Sequence, residues 1–297
     1  MRETRPPLLT SLLLFCLLAA GGARDANAAW THPAGHGYAK LGSSTFGSFV
    51  GYDEEGRLLE PDGFVLVAQT FNGYLELGLA DRLTVVGSLP LVLSTNRHDS
   101  GIAFHTVGAG DAQLGLRASL WQPQVPVVGV LQVSAQLDVK MPLYEGAPAL
   151  RGRSTVIVPG YPKTSRFFPA LGDGQVDISG RAMLGGSLPV VDGFFSADAG
   201  WRMRAGPVTD AALANANVGV WLFSRALLVQ GHLQSVLSLP NAMGEREMRG
   251  KGFVTVGASL VVPVWGGFNF ECGADVLPYG VNTAAGGQLH LGVSYAG

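Results

Sequence analysis

The residues of this sequence that could do chemistry are thinly and evenly scattered. Glu76, Arg117, Asp138, Lys140, Asp177, Arg181, Asp198, Arg202, His232, Glu271, Asp275 and His290 each lie within a run of small, polar or apolar neighbours, and their signs are mixed. A serine hydrolase needs a serine and a histidine within reach, with a carboxylate or amide to orient the ring. His232 and His290 are available, but no G-x-S-x-G elbow accompanies them. His32 and His36 are spaced as a helix would pair them, yet Pro33, Gly35 and Gly37 oppose a helix there. His98 and His105 have no cysteine or third ligand nearby. The expectation is therefore no enzyme, no metal site and no cofactor. The Gly-Asp-x-Gln stretches at residues 110–113 and 172–175 lack the strand-to-helix setting of a phosphate cradle. Glycine that releases a loop and aspartate that caps a turn account for both.

What the twelve residues share is parity. Across residues 69–93 two alternating runs meet at Ala80-Asp81-Arg82. Phe71, Leu75, Leu77 and Leu79 point one way and Asn72, Tyr74 and Glu76 the other, while Leu83, Val85, Leu89, Leu91 and Leu93 share a face. Alternation over about ten residues is a strand signal, and it is also the length a tilted strand needs to cross a bilayer. The same pattern recurs at residues 111–121, with Arg117 inward, and at 127–141, with Asp138 and Lys140 inward. Residues 175–184 turn Asp177 and Arg181 in, and residues 195–204 turn Asp198 and Arg202 in. Further strands are expected at residues 38–46, 214–223, 227–239, 253–264, 268–276 and 288–295.

Composition agrees with a lipid-facing wall. The chain is 47% hydrophobic and only 14% charged, with 42 glycines, which is too apolar for an ordinary soluble surface and too broken for helices. Arg2 and Arg5 precede a short apolar core at residues 8–20, and Ala26-Asn27-Ala28 follows, so residues 1–28 read as a secretory signal peptide cut after Ala28. Cys16 lies within that core without the small residue that lipid attachment would want. Removal takes three of the 20 basic and two of the 22 acidic residues, leaving a charge near −3 and no electrostatic case for nucleic acid. Only Cys272 then remains, so the mature chain can form no internal disulfide. Beyond the signal no apolar stretch reaches the roughly 18 residues of a membrane-spanning helix.

About twelve strands result, and their connections alternate long and short. Residues 48–63, 96–110 and 142–173 are the longer polar loops, the last of them a candidate lid. Residues 30–37 read as a periplasmic lead-in. Short periplasmic turns, longer external loops and an even strand count are the pattern of an outer-membrane barrel. Trp121, Phe194, Phe195, Phe223, Trp265 and Tyr295 fall toward the short-turn side, where an interfacial girdle of aromatic residues belongs.

The stretches YLELGLADRLTVVGSLPL, GAGDAQLGLR, LGDGQVDISGR and FFSADAGWRMR resemble outer-membrane barrels of the meta-pathway phenol-degradation, transporter-like family. The resemblance covers most of residues 29–297 and implies a barrel that passes small apolar or aromatic compounds. One departure is the ending Tyr295-Ala296-Gly297, where such barrels usually finish on an aromatic residue.

The fold expected is thus an all-β, antiparallel, up-and-down transmembrane barrel over residues 29–297, in the outer membrane. Its expected role is that of a passive channel for small solutes, hydrophobic or aromatic ones among them. Its partners would be outer-membrane lipid, the solute and the envelope assembly machinery. The alternative is a non-conducting structural or surface-interaction barrel. The twelve inward residues are either an ion-pair lattice that holds the wall or a selectivity lining, and the two roles are compatible.

Overall fold

A computed structural model describes residues 29–60, 63–125, 128–144, 169–172, 174–205, 209–239 and 250–297. The signal peptide and most of the candidate lid lie outside the described residues. The strands are β1 (Gly37–Tyr52), β2 (Phe64–Ala80), β3 (Leu83–His98), β4 (Ala103–Ala109), β5 (Asp111–Trp121), β6 (Gln124–Val125), β7 (Gly129–Pro142), β8 (Asp177–Leu188) and β9 (Gly193–Arg204). After them come β10 (Ala211–Leu222), β11 (Leu227–Ser238), β12 (Gly252–Trp265), β13 (Phe268–Val281) and β14 (Thr283–Ala296). Each strand pairs antiparallel with its sequence neighbours, and β1 also pairs with β14, so the sheet closes. β4 and β5 both lie along β3, interrupted only at Gly110, and act as one strand of the wall; β6 is a short extension against β7. The wall therefore has twelve strands.

The faces are inverted relative to a soluble protein. Leu75 is 50% exposed while Glu76 beside it is 6% exposed; Leu116 is 49% exposed and Arg117 2%. Leucines outside and polar groups inside are what lipid and a wet interior impose on a two-residue period. Leu, Val and Ala dominate the outer face along β2, β3, β5 and β7–β14, while Leu213, Leu228, Val236 and Val261 turn inward.

Several boundaries move. Residues 48–52 belong to β1, residues 96–98 to β3 and residues 103–109 to β4, so the loop expected at 96–110 is largely strand and the one expected at 48–63 begins as strand. β13 and β14 likewise run on to a single residue, Asn282, whose backbone takes φ 48°. At these ends the apolar-out, polar-in alternation fails, since Tyr52, Phe104 and Val281 are buried while His105 is exposed. Pro90 sits inside β3 because Gly110 donates to its carbonyl at 2.9 Å at the β4/β5 interruption, where a missing proline N–H is tolerated.

At the short-turn rim Trp121, Phe223 and Trp265 are strongly exposed, as a girdle requires. Phe194 is the exception. It turns inward and is buried against Leu228 and Val261, with Trp221 packed on them, because its parity within β9 is that of Ser196 and Asp198. Tyr295 is half-buried and packs on Phe268, ring centroids 4.9 Å apart.

Candidate functional site

The barrel interior is built by register. Strand pairing sets Gln136 opposite both Arg117 and Arg181, Ser179 opposite Arg202, and Asp177 opposite both Lys140 and Arg204, so inward side chains of neighbouring strands meet as pairs. From these pairings two regions arise.

The first region spans β2 to β10. Arg117 donates to the Glu76 carboxylate through both terminal nitrogens, at 3.2 and 3.0 Å, and through Nε to Gln136 at 2.7 Å. The Tyr74 hydroxyl also donates to Glu76. Gln136 donates onward to Asp138 at 2.7 Å, and Arg181 lies 3.8 Å from Asp138 and 3.2 Å from Asp198. Asn215 caps Asp198 with donations at 2.8 and 3.0 Å. Toward the loop rim Lys140 stands 2.8 Å from Asp177 and 3.2 Å from Asp111, with Arg202 Nε 3.9 Å from Asp177. Charges this deep are costly unless paired, and each of these stands within 4 Å of an opposite charge, although the Asp138 Oδ2 and Arg181 Nε atoms have no hydrogen bond.

The space for these flat-lying side chains comes from glycine. A Cβ on Gly115 would strike the Asp138 carboxylate, and one on Gly200 would lie 2.8 Å from Arg181 Cγ.

The second region spans β11 to β14 and β1. His232 bonds one oxygen of Asp275, and His290 Nδ1 lies 3.2 Å from the other. His290 Nε2 is 3.7 Å from Glu271, whose carboxylate accepts from Lys40 at 2.7 Å. All twelve residues nominated by parity thus turn toward the interior, and they fall into these two networks.

Lys40, Asp111 and His32 join these networks beside the twelve expected residues. Lys40 and Asp111 share the alternation of their strands, whereas His32 carries no such signal. The lead-in expected at residues 30–37 does not hang free: residues 29–36 fold back inside the short-turn end of the barrel. The Ala29 carbonyl accepts from Ser134 at 2.7 Å and the Trp30 carbonyl from Arg117 at 3.0 Å. The His32 backbone N–H donates to Thr84 at 2.8 Å, and its ring Nε2 lies 2.8 Å from Glu76. The segment crosses from β8 to β2 largely by backbone hydrogen bonds, which leave no mark in side-chain periodicity.

Three of the cavities among the described residues lie along the interior. An outer vestibule of about 720 Å³ is edged by Phe46, Phe49, Tyr52, Phe64 and Phe253. A polar recess of about 370 Å³ lies between Arg117, Asp138, Arg181 and Asp198, and a turn-side cavity of about 480 Å³ lies between Tyr38, Phe194, Trp221 and Glu271. His232 borders all three, which makes it the waist at which they meet. Among the described residues no group of His, Cys, Asp and Glu is arranged to hold a metal ion.

No family model matches this chain, and no curated protein does. Among solved structures, the COG4313 outer membrane channel from Pseudomonas putida F1 aligns with a TM-score of 0.63 at 12% identity, over 92% of this chain and 100% of that one. The translocator domain of the autotransporter NalP from Neisseria meningitidis aligns at 0.45 and 12% identity, over 97% and 95% of the two chains. The CymD monoaromatic hydrocarbon channel aligns at 0.41 and 8% identity, over 89% and 88%. At such identities the first of these establishes the fold, and the other two, below 0.5, add nothing to it. The chain folds as a closed antiparallel β-barrel whose outer face is apolar.

Proposed function

We propose that this barrel is a passive channel for small solutes. The observation that carries the reading is the chain of three polar-edged cavities that meet at His232 and run from the long-loop rim to the short-turn rim. A wall built only for structure would gain by filling this space with side chains, as small barrels do. Hydrophobic or aromatic solutes are the class we favour, because the outer vestibule is edged by phenyl and tyrosyl rings while polar groups wait at its floor. In this reading the twelve inward charged residues line the route as well as bind the wall together.

Residues 1–28 would be cut after Ala28 during export, which N-terminal sequencing of the mature protein checks. The assembly machinery would then have to accept a chain that ends Tyr295-Ala296-Gly297.

The decisive experiment is conductance of the purified protein in planar bilayers, with liposome uptake of a phenol and of a disaccharide beside it. Unitary current steps and faster uptake of the phenol are expected. If neither current nor uptake appears, the channel reading is wrong and a non-conducting surface barrel takes its place.

A further inference from the structure

We propose that Asp275 and the two histidines bonded to it, His232 and His290, form the charge selector of the passage, and that protonation of these histidines reverses its sign. The inference rests on the channel reading and names the class of solute sorted, small organic ions.

The cluster is a built site. The imidazoles approach from β11 and β14 and take one oxygen each of a carboxylate on β13, with ring centroids 6.1 Å apart. Two missing side chains make the room. A Cβ on Gly257 would strike the Asp275 carboxylate and lie 2.5 Å from His232 Nε2, and one on Gly273 would strike His290 Nε2 and lie 2.6 Å from its Cε1. The rings therefore rest over bare backbone, and His232 borders the interior cavities. Position does the rest. His232 borders all three cavities, Asp275 borders the vestibule above it and Glu271 the cavity below, so a solute that crosses the barrel passes this cluster.

The charges that face the cluster can be inventoried strand by strand. β13 supplies Asp275 and Glu271, and β1 supplies Lys40, paired to Glu271, with the Tyr38 phenol beside it. β11 offers Gln230 and Gln234, β12 Thr255 and Ser259, β14 Gln288 and Ser294, and β10 Asn215 and Asn217, all neutral; beyond them Glu60 and Lys251, of opposite sign, edge the vestibule, and Arg225, paired to Asp192, edges the turn-side cavity. Across the polar recess Arg117, Arg181, Asp138 and Asp198 are engaged in the pairs of the first region. With neutral imidazoles, two carboxylates against one ammonium leave one unbalanced negative charge at the waist.

Histidine changes charge between pH 5 and 8. A carboxylate only accepts, so the resident protons sit on His232 Nε2 and His290 Nδ1, and a further proton goes to the opposite nitrogen of each ring. On His290 that nitrogen is Nε2, 3.7 Å from Glu271, where its new N–H would draw the carboxylate away from Lys40. With both rings charged the excess at the waist becomes one positive charge. In a narrow, low-dielectric passage such a reversal exchanges cation preference for anion preference.

The test is the reversal potential of the full-length protein under a potassium chloride gradient in planar bilayers of neutral lipid, at pH 8 and at pH 5. Potassium should be favoured at pH 8 and chloride at pH 5, with the permeability ratio moving by about tenfold. The double variant H232Q/H290Q, with folding checked by heat-modifiable migration, should hold the ratio nearly constant across that range. Asp275→Asn should weaken cation preference at pH 8 in a waist that keeps its hydrogen bonds. A wild-type ratio that ignores pH overturns the proposal while leaving the channel reading intact, as does a full shift surviving in the double variant. A protein that passes no current at all removes the channel reading, and the selector with it.

Discussion

From β2 to β10 the inward charges are locked to one another across neighbouring strands, and residues 29–36 are laid over their short-turn end; from β11 round to β1 the inward face is mostly amide and hydroxyl, with one imidazole–carboxylate cluster. The two regions use the same device, a glycine beneath certain polar side chains: Gly115 and Gly200 beside Asp138 and Arg181, Gly257 and Gly273 beside Asp275 and the two imidazoles. They differ in what the pairing leaves over. In the first, guanidinium and carboxylate neutralise each other and exclude a mobile ion. In the second, two titratable rings stand beside an unbalanced carboxylate, and one of them, His232, borders open space. A lumen wall can therefore be both scaffold and lining, divided by angle around the barrel.

The sharpest way to break this comparison is to unbalance the scaffold side. Glu76→Ala leaves Arg117, 2% exposed, without its carboxylate, and breaking a buried pair from one end costs about 3–5 kcal/mol. Urea unfolding in detergent should register that loss, and Asp275→Ala on the wetter side should cost clearly less. Equal costs would erase the division between the regions.

The glycine sockets make a second, smaller contrast. Gly115→Ala sets a methyl against Asp138 and should destabilise by about 1–3 kcal/mol through overpacking. Gly180→Ala on the lipid face meets no atom within 4 Å and should stay within about 0.5 kcal/mol of wild type, measured the same way.

Third, deletion of residues 29–36 should raise unitary conductance, because the segment occupies part of the short-turn mouth. Unchanged conductance would mean that the route already avoids it entirely.

The smallest effect belongs to the rims. The Asp53 carboxyl lies below its ordinary range, held first by the Arg57 backbone N–H at 2.8 Å and then by the Arg57 guanidinium. Hydrogen bonds from Arg225 likewise lower Asp192 on the opposite rim. A carboxyl depressed by folding contributes above its unfolded value and loses that contribution as pH falls through its folded one. Acid below the carboxylate range should therefore loosen both turns, seen as faster proteolysis there, while the barrel's heat-modifiable migration stays unchanged.

The wall was legible because lipid and water on opposite faces force a period of two, and this fixed the parity of Glu76, Arg117, Asp138 and the rest. Legibility stopped where that asymmetry stops. Residues 103–109 and the ends of β1, β3, β13 and β14 do not keep apolar residues out and polar ones in, since Tyr52, Phe104 and Val281 are buried while His105 is exposed, and they read as loops. Parity also says which residues face inward but not which meet. That Asp275 would sit between His232 and His290 depends on the register of three strands and on glycines 257 and 273. Lys40 and Asp111 were available to parity and passed over, whereas His32 lies in a segment anchored by carbonyls, which every sequence has alike.

The seat of Ala29 carries one more consequence. Its carbonyl is received by Ser134, 105 positions further along the chain, and its methyl lies beside Gly185, later still. A leading end cannot settle on a floor that has yet to arrive. The wall that carries Ser134 and Gly185 must form first with its short-turn doorway clear, and the earliest of the described residues become the last to come to rest.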